Sequence, residues 1–175
     1  MMVRRILLLA AAAVSAMAVV VAPASAAGAC SVDWGSLPKA ADGAASGNLT
    51  NIRSGRQECY DRLVFDLSGE NSGYFVQYVD EVQEEGSGRP VALRGEGKLQ
   101  VVVRAPAYDS NGNPTYTFAD RAELVNVTGY DTFRQVAWAG SFEGQTTVGL
   151  GVRARLPFRV FTLPGRVVVD VAHQW

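Results

Sequence analysis

Apolar and polar residues alternate with a period of two in a series of short segments that begins near Cys59. In the segment RLVFDL, Leu63, Phe65 and Leu67 fall on one face, and both charged residues fall on the other. Such alternation is typical of a β-strand with one buried face. The further segments of this kind are GYFVQYV, KLQVVVRA, AELVNV, RQVAWAGSF, TTVGLGV, PFRVFTL and RVVVDVAHQW.

Turn-forming residues separate most of these segments, and residues 59–175 contain no convincing helical stripe. Short strands at this spacing, with Gly, Pro, Asn or Asp between them, are typical of sandwiches and barrels. We therefore predict an all-β domain over residues 59–175, an antiparallel β-sandwich of about eight strands.

The preceding residues have a different composition. Residues 36–56 are rich in Ala, Gly, Ser and Asn and contain few large apolar side chains. A segment of this kind buries too little surface to order itself, which predicts an irregular, mobile loop. We assign residues 27–58 to a flexible N-terminal arm.

One hexamer occurs twice in nearly the same form, as RLVFDL at residues 62–67 and as RVVVDV at residues 166–171. If the two copies pair antiparallel, Arg62 lies opposite Asp170, and Asp66 lies opposite Arg166. Each complementary pair would contribute about 0.2–1 kcal/mol, whereas a parallel register would place like charges together. The alternative places the copies in different sheets, as the record of an internal duplication.

The first residues predict export from the cell. Arg4 and Arg5 precede an apolar run at residues 6–22, and Ala24-Ser25-Ala26 follows as a cleavage-like motif. This order is that of a secretory signal peptide, assigned to residues 1–26, with a membrane anchor or a lipid-anchored cysteine as alternatives. We expect a secreted, extracellular protein, either free or associated with the cell wall, with no stable membrane span after cleavage. Cleavage would leave 14 basic and 17 acidic residues, a balance that argues against nucleic-acid binding.

The two cysteines of the chain, Cys30 and Cys59, both follow the predicted signal peptide. In an oxidising compartment they predict one disulfide, which would tie the N-terminal arm to the first strand of the sandwich. The alternative is a catalytic thiol, which needs a base. The sole histidine, His173, is remote from both cysteines in sequence.

Four stretches resemble the AMIN-like domain of secreted and lipid-anchored actinobacterial proteins. They are ECYDRLVFDLSG, SGYFVQYVDEV, GSFEGQTTVGLGVRARLPFRVFTL and RVVVDVAH, within residues 59–173. This family is distantly similar to the AMIN domain, a β-sandwich of cell-wall amidases and secretins that is thought to target them to peptidoglycan. The resemblance implies a non-catalytic module that binds the cell envelope.

The residues themselves offer little catalytic chemistry. His173 shares strand parity with Val167, Val169 and Val171, which favours a packed histidine over a general base. The DEVQEEG stretch supplies carboxylates that a glycoside hydrolase would need, but a solvated hairpin end explains them better. We expect no catalytic residue, no cofactor and no metal site, because too few ligands of the usual kinds are present.

Charge is distributed unevenly, with a net charge of −6 over residues 58–96 and +3 over residues 134–175. Arginines in the later region would suit an anionic ligand such as a carboxylate or a phosphate. Paired charges inside the sandwich are the alternative. The candidate ligand-binding residues are Arg153, Arg155, Arg159, Glu143, Tyr74 and Tyr78. The predicted partner is the cell-wall polymer peptidoglycan. The alternative is an extracellular interaction or inhibitor domain, whose partner would be an envelope protein.

Overall fold

The computed structural model describes residues 30–43, 47–70 and 73–175, which form nine β-strands and no helix. Within these ranges, therefore, no helix is available that would be long and apolar enough to cross a membrane. The predicted signal peptide lies outside the described residues. The strands are β1 Lys39–Ala41, β2 Leu49–Arg56, β3 Tyr60–Leu67, β4 Tyr74–Tyr78, β5 Gly97–Val103, β6 Phe133–Phe142, β7 Gln145–Val152, β8 Phe158–Leu163 and β9 Arg166–Ala172.

The strands form two antiparallel sheets. The first sheet has five strands in the order β1-β4-β5-β7-β6, and the second has four in the order β2-β3-β9-β8. A single core of buried apolar residues from both sheets lies between them. The predicted all-β sandwich is confirmed.

Strand alternation supplies the core, because every second side chain of a strand points to the same face. Burying a large apolar side chain contributes about 1.5–3 kcal/mol, so these residues account for much of the stability. The largest fully buried side chains are Phe65, Phe133, Phe158, Leu49, Leu63, Leu99 and Leu150.

The two copies of the repeated hexamer pair with each other. Strand β3 lies antiparallel to β9, with Val64 opposite Val168 and Arg62 opposite Asp170. This register is the one that charge complementarity predicts. The alternative, in which the copies lie in different sheets, is wrong.

The prediction of an irregular loop over residues 36–56 is also wrong. These residues contain β1 and the eight-residue strand β2. Leu49 and Ile52 are buried, and β2 pairs with β3 along its length except at an irregularity between Leu49 and Asn51. Composition reflects side-chain burial alone, whereas the edge of a sheet also stabilises a polar strand through its ladder of hydrogen bonds.

Residues 122–127, AELVNV, form turns instead of the predicted strand. The Asp120 side chain accepts the N–H of Ala122 at 2.8 Å, and the Asn126 side chain accepts the N–H of Thr128 at 2.9 Å. Such Asx turns offer the backbone an alternative to sheet pairing. The segment belongs to the long connection between β5 and β6.

The outer faces of the two sheets differ. Part of the connection between β4 and β5 lies against the first sheet over β7, where glycines leave room for it. At Gly151 a Cβ atom would lie 2.1 Å from the carbonyl oxygen of Arg94, so a side chain there would displace this connection. The outer face of the second sheet carries exposed and half-exposed arginines instead.

Candidate functional site on the outer face of the second sheet

Two carboxylates lie on this outer face, and each contacts two arginines from neighbouring strands. Asp170 on β9 contacts Arg62 on β3 and Arg159 on β8. Asp66 on β3 contacts Arg166 on β9 and Arg53 on β2. We call these groups the Asp170 centre and the Asp66 centre. An approximate twofold axis relates the two centres, because the same hexamer runs in opposite directions along β3 and β9.

The Asp170 centre is built around a carboxylate with no solvent exposure. Arg62 donates from Nε to Oδ1 at 2.7 Å and from Nη2 to Oδ2 at 2.9 Å, and Arg159 donates from Nε to Oδ2 at 2.8 Å. The bonds from Arg62 to Asp170 raise the pKa of the Arg62 guanidinium, although partial burial opposes them. A buried carboxylate of this kind is stable because charged donors surround it.

Three aromatic rings surround the same guanidinium groups. The Cζ atom of Arg159 lies 4.3 Å from the ring centre of Trp34, and those of Tyr60 and Phe161 lie at 5.3 Å and 5.2 Å. Arg62 lies 5.2 Å from the Tyr60 ring. These distances fall within the range of cation–π interactions. The result is a half-exposed surface on which flat rings and guanidinium groups lie side by side.

The disulfide anchors the segment that carries the Trp34 ring. Cys30 and Cys59 are bonded, as predicted, with their Cα atoms 5.0 Å apart. Trp34 follows Cys30 closely in sequence and packs edge-on against Tyr60, with ring centres 5.5 Å apart. The N–H of Phe158 donates to the carbonyl of Gly35 at 2.9 Å and holds the same segment against β8.

The Asp170 centre retains unused hydrogen-bond donors. A guanidinium carries five N–H groups, and one carboxylate cannot accept all those of two arginines. Three nitrogen atoms of these arginines have no hydrogen-bond partner among the described residues. They are both Nη atoms of Arg159 and Nη1 of Arg62. Two arginines and one aspartate carry a net charge of +1. The centre is therefore able to bind a further anion.

The Asp66 centre is more exposed. Arg53 donates to Asp66 at 2.8 Å and 3.1 Å, and Asn51 donates at 3.1 Å, whereas Arg166 lies 3.5 Å away. Partial burial raises the pKa of Asp66, but the Arg53 and Asn51 hydrogen bonds and the nearby positive charges outweigh it, so the pKa lies below its usual value. Among the described residues, no aromatic ring lies over these arginines.

The three predicted ligand-binding arginines have different surroundings. Arg159 belongs to the Asp170 centre. Arg155 donates to the hydroxyl and the carbonyl of Ser36 at 3.3 Å and 3.2 Å and lies 5.0 Å from the Tyr78 ring centre. Arg153 donates to the main-chain carbonyls of Asp131 and His173. Two of the three therefore hold the protein's own backbone.

Tyr74 and Tyr78 point into the sandwich, where Tyr74 connects the two sheets and Tyr78 holds the loop between β7 and β8. The hydroxyl of Tyr74 donates to the carbonyl of Val160 at 3.0 Å. That of Tyr78 donates to the carbonyl of Leu156 at 2.8 Å and accepts the N–H of the same residue at 2.9 Å. Burial raises the pKa of Tyr78 to about 12. Both hydroxyl groups are thus engaged inside the protein.

Glu143 lies away from both centres, in the turn between β6 and β7. It has a φ angle of 49°, and Gly144 has one of 81°. Positive φ at both central residues is characteristic of the type I′ turn that closes a two-residue hairpin. Its side chain makes no ion pair with any residue that the structure describes.

The carboxylates of the DEVQEEG stretch do not converge on one point. Glu84 contacts Arg89 at 2.9 Å and Arg121 at 2.7 Å. Glu85 accepts hydrogen bonds from the side chains of Gln145 and Thr147. The two neighbouring acids therefore have separate partners, unlike the facing pair that glycoside hydrolysis requires.

Comparison with known protein families identifies the fold. The model of the AMIN-like domain matches residues 47–173, and the chain belongs to this family. The match begins before Cys59 and so includes β2, which the sequence resemblance had left out. Comparison with the curated proteins and with the solved structures gives no match.

Proposed function

We propose that this protein is a secreted, non-catalytic module that binds peptidoglycan through the Asp170 centre. The observation that carries the proposal is the buried Asp170 carboxylate between two guanidinium groups that keep donors free. The ligand group would be a carboxylate of the peptide stems. Family membership supports a role at the cell envelope, and the disulfide supports an oxidising compartment.

The two kinds of side chain would contact different parts of the polymer. The Nη donors of Arg159 would form charge-assisted hydrogen bonds to a carboxylate, worth about 1.5–3 kcal/mol each before solvent exposure reduces them. Trp34 and Phe161 would pack against the apolar faces of the adjoining sugar or peptide groups. Because a single contact of this kind is modest, stable attachment would depend on a polymer that repeats the group many times.

The test is co-sedimentation with purified peptidoglycan whose stem carboxylates are either free or chemically amidated. We expect about tenfold weaker sedimentation with the amidated polymer, which corresponds to the loss of about 1.4 kcal/mol of binding free energy. Binding to the untreated polymer should also weaken at high salt, because exposed charges are screened. Equal sedimentation with both polymers would contradict the proposal.

A second comparison concerns the location of the site. Replacing Arg153 and Arg155 with alanine should reduce sedimentation less than Arg159→Gln does, because the first two hold backbone carbonyls. If the double variant loses binding and Arg159→Gln retains it, the site lies elsewhere. If no variant alters binding, the alternative of an extracellular interaction or inhibitor domain, which recognises a protein, becomes the better account.

A further inference from the structure

Three side chains with metal-binding atoms lie close together, apart from the Asp170 centre and the Asp66 centre. They are Asp61 on β3, Asp131 in the turn before β6, and His173 just after β9. One ligand atom from each lies within 4.8 Å of the others. This group is not apparent from the sequence, because its three members are far apart along the chain.

Asp61 is fixed before any ligand arrives. It is completely buried, and its Oδ2 accepts the main-chain N–H groups of Thr132 at 2.6 Å and of Phe133 at 3.0 Å. The other oxygen, Oδ1, lies 3.2 Å from Nε2 of His173. Hydrogen bonds to one oxygen of a carboxylate orient the other, which is the usual arrangement around ligands of a metal ion.

The separations suit a small divalent ion. Zinc binds imidazole nitrogen and carboxylate oxygen at about 2.0–2.2 Å, which places neighbouring ligand atoms of a tetrahedral site about 3.3 Å apart. Nε2 of His173 lies 3.2 Å from the oxygen of Asp61 and 3.8 Å from Oδ2 of Asp131. Asp131 alone needs to approach, and its side chain is 55% exposed, so that it has room to move once its ion pair with Arg56 opens. Water would complete the coordination from the same open side.

Two arginines stand near these ligands and act differently. Arg153 donates to the main-chain carbonyls of Asp131 and His173, so it holds the two ligand-bearing segments together without occupying a ligand atom. Arg56 lies 3.6 Å from Oδ2 of Asp131 and competes with a cation. The Arg56 side chain is 56% exposed, which allows it to turn into solvent when an ion binds.

We propose that Asp61, Asp131 and His173 bind one divalent transition-metal ion of the zinc type. The ion would join the start of β3, the turn before β6 and the segment after β9. Its role would be structural, as a cross-link between these three segments at one end of the sandwich. This site is independent of the proposed binding of peptidoglycan.

The proposal is tested with mature protein that carries no affinity tag and has been treated with a chelator. Titration with zinc chloride in a calorimeter should show one ion bound per chain, and the melting temperature should rise with zinc and not with magnesium. Asp131→Asn, an exposed substitution that leaves the buried Asp61 contacts intact, should weaken zinc binding about tenfold or more. Glu81→Gln, which removes an exposed acid elsewhere, is the matched control and should leave binding unchanged.

Arg56→Gln gives a prediction of opposite sign, because it removes the competing charge. We expect this variant to bind zinc more tightly than the unaltered protein. Absence of stoichiometric zinc binding would overturn the proposal. Equal affinity in the Asp131→Asn variant and in the unaltered protein would do so too, since it would place the ion elsewhere.

Discussion

The Asp170 centre and the Asp66 centre lie on the same face of the second sheet and contain the same charged groups, but their surroundings differ. The Asp170 centre has a fully buried carboxylate, two arginines and three aromatic rings. The Asp66 centre has a carboxylate whose side chain is 24% exposed and two arginines that are about half exposed, without rings over them in the described part of the chain. Both arise from one repeated hexamer in an antiparallel register.

The difference shows that the repeat supplies charge pairing, whereas residues outside the repeat decide what each pair becomes. Trp34, Tyr60 and Phe161 lie beyond the hexamers, and they shield one centre from water. Desolvation strengthens the electrostatic interactions of that centre and raises the cost of losing a partner. The Asp66 centre remains close to an ordinary surface ion pair, whose contribution is small.

The largest expected effect concerns the disulfide, which secures Trp34 at only one of the centres. Replacing Cys30 and Cys59 with serine should lower the free energy of unfolding by as much as about 3–4 kcal/mol, measured in denaturant. It should also loosen the segment that carries Trp34, so that the Asp170 centre becomes more exposed while Tyr60 and Phe161 remain beside it. Free-thiol titration of the denatured, unreduced protein should find no thiol, and two reactive thiols per chain would contradict the bond.

Trp34→Ala, with the disulfide intact, is the control for this comparison. It removes the ring and keeps the covalent link, so most of the stability should remain. Weakened polymer binding in both proteins would assign the effect to the ring. If binding weakens only in the double serine variant, Trp34 has no part in the contact.

Asp170→Asn should have the next largest effect. It leaves two partly buried guanidinium groups without their carboxylate, and the expected loss of stability is about 2–3 kcal/mol. The same change at the other centre, Asp66→Asn, should cost less than about 1 kcal/mol, because solvent already screens that pair. Denaturant unfolding of both variants measures the difference. Equal losses would show that the aromatic surroundings have no energetic consequence.

The smallest effect is a dependence on pH. Because the pKa of Asp66 is lower in the folded protein than its usual value, its ionised form stabilises the fold above about pH 4, the value of an unperturbed aspartate. This contribution should disappear as the pH falls through the lower native pKa. The difference in unfolding free energy between the unaltered protein and Asp66→Asn should therefore shrink as the pH falls from about 5 to about 2. A difference that grows on acidification would contradict the assigned direction.

Much of the fold was predictable because it depends on local alternation and on complementary charges. The period of two located β3 to β9, and the repeated Arg and Asp positions gave the register of β3 and β9. Strand β2 was missed, since only two of its side chains, Leu49 and Ile52, are buried, and pairing with β3 stabilises the rest of the strand. The AELVNV strand was predicted wrongly, because Asp120 and Asn126 form side-chain turns that a count of apolar residues does not include.

The candidate site was harder to predict. The uneven charge of the chain points to Arg159, but its placement beside Asp170 depends on the pairing between β8 and β9. Trp34 was overlooked because it lies in a segment assigned to a flexible arm. Arg53 was overlooked for a related reason, since it belongs to the unpredicted strand β2. Long-range packing, which the sequence does not display, brings these residues to one face.

We propose that the Asp170 centre, and not the Asp66 centre, holds the ligand. Arg159→Gln and Arg53→Gln are matched changes, because each removes one of two arginines from a carboxylate on the same sheet face. The deciding measurement is the affinity of both variants for the same peptidoglycan at one salt concentration. We expect about tenfold weaker binding for Arg159→Gln, which corresponds to about 1.4 kcal/mol, and little change for Arg53→Gln. Equal affinities, or a greater loss for Arg53→Gln, would contradict it.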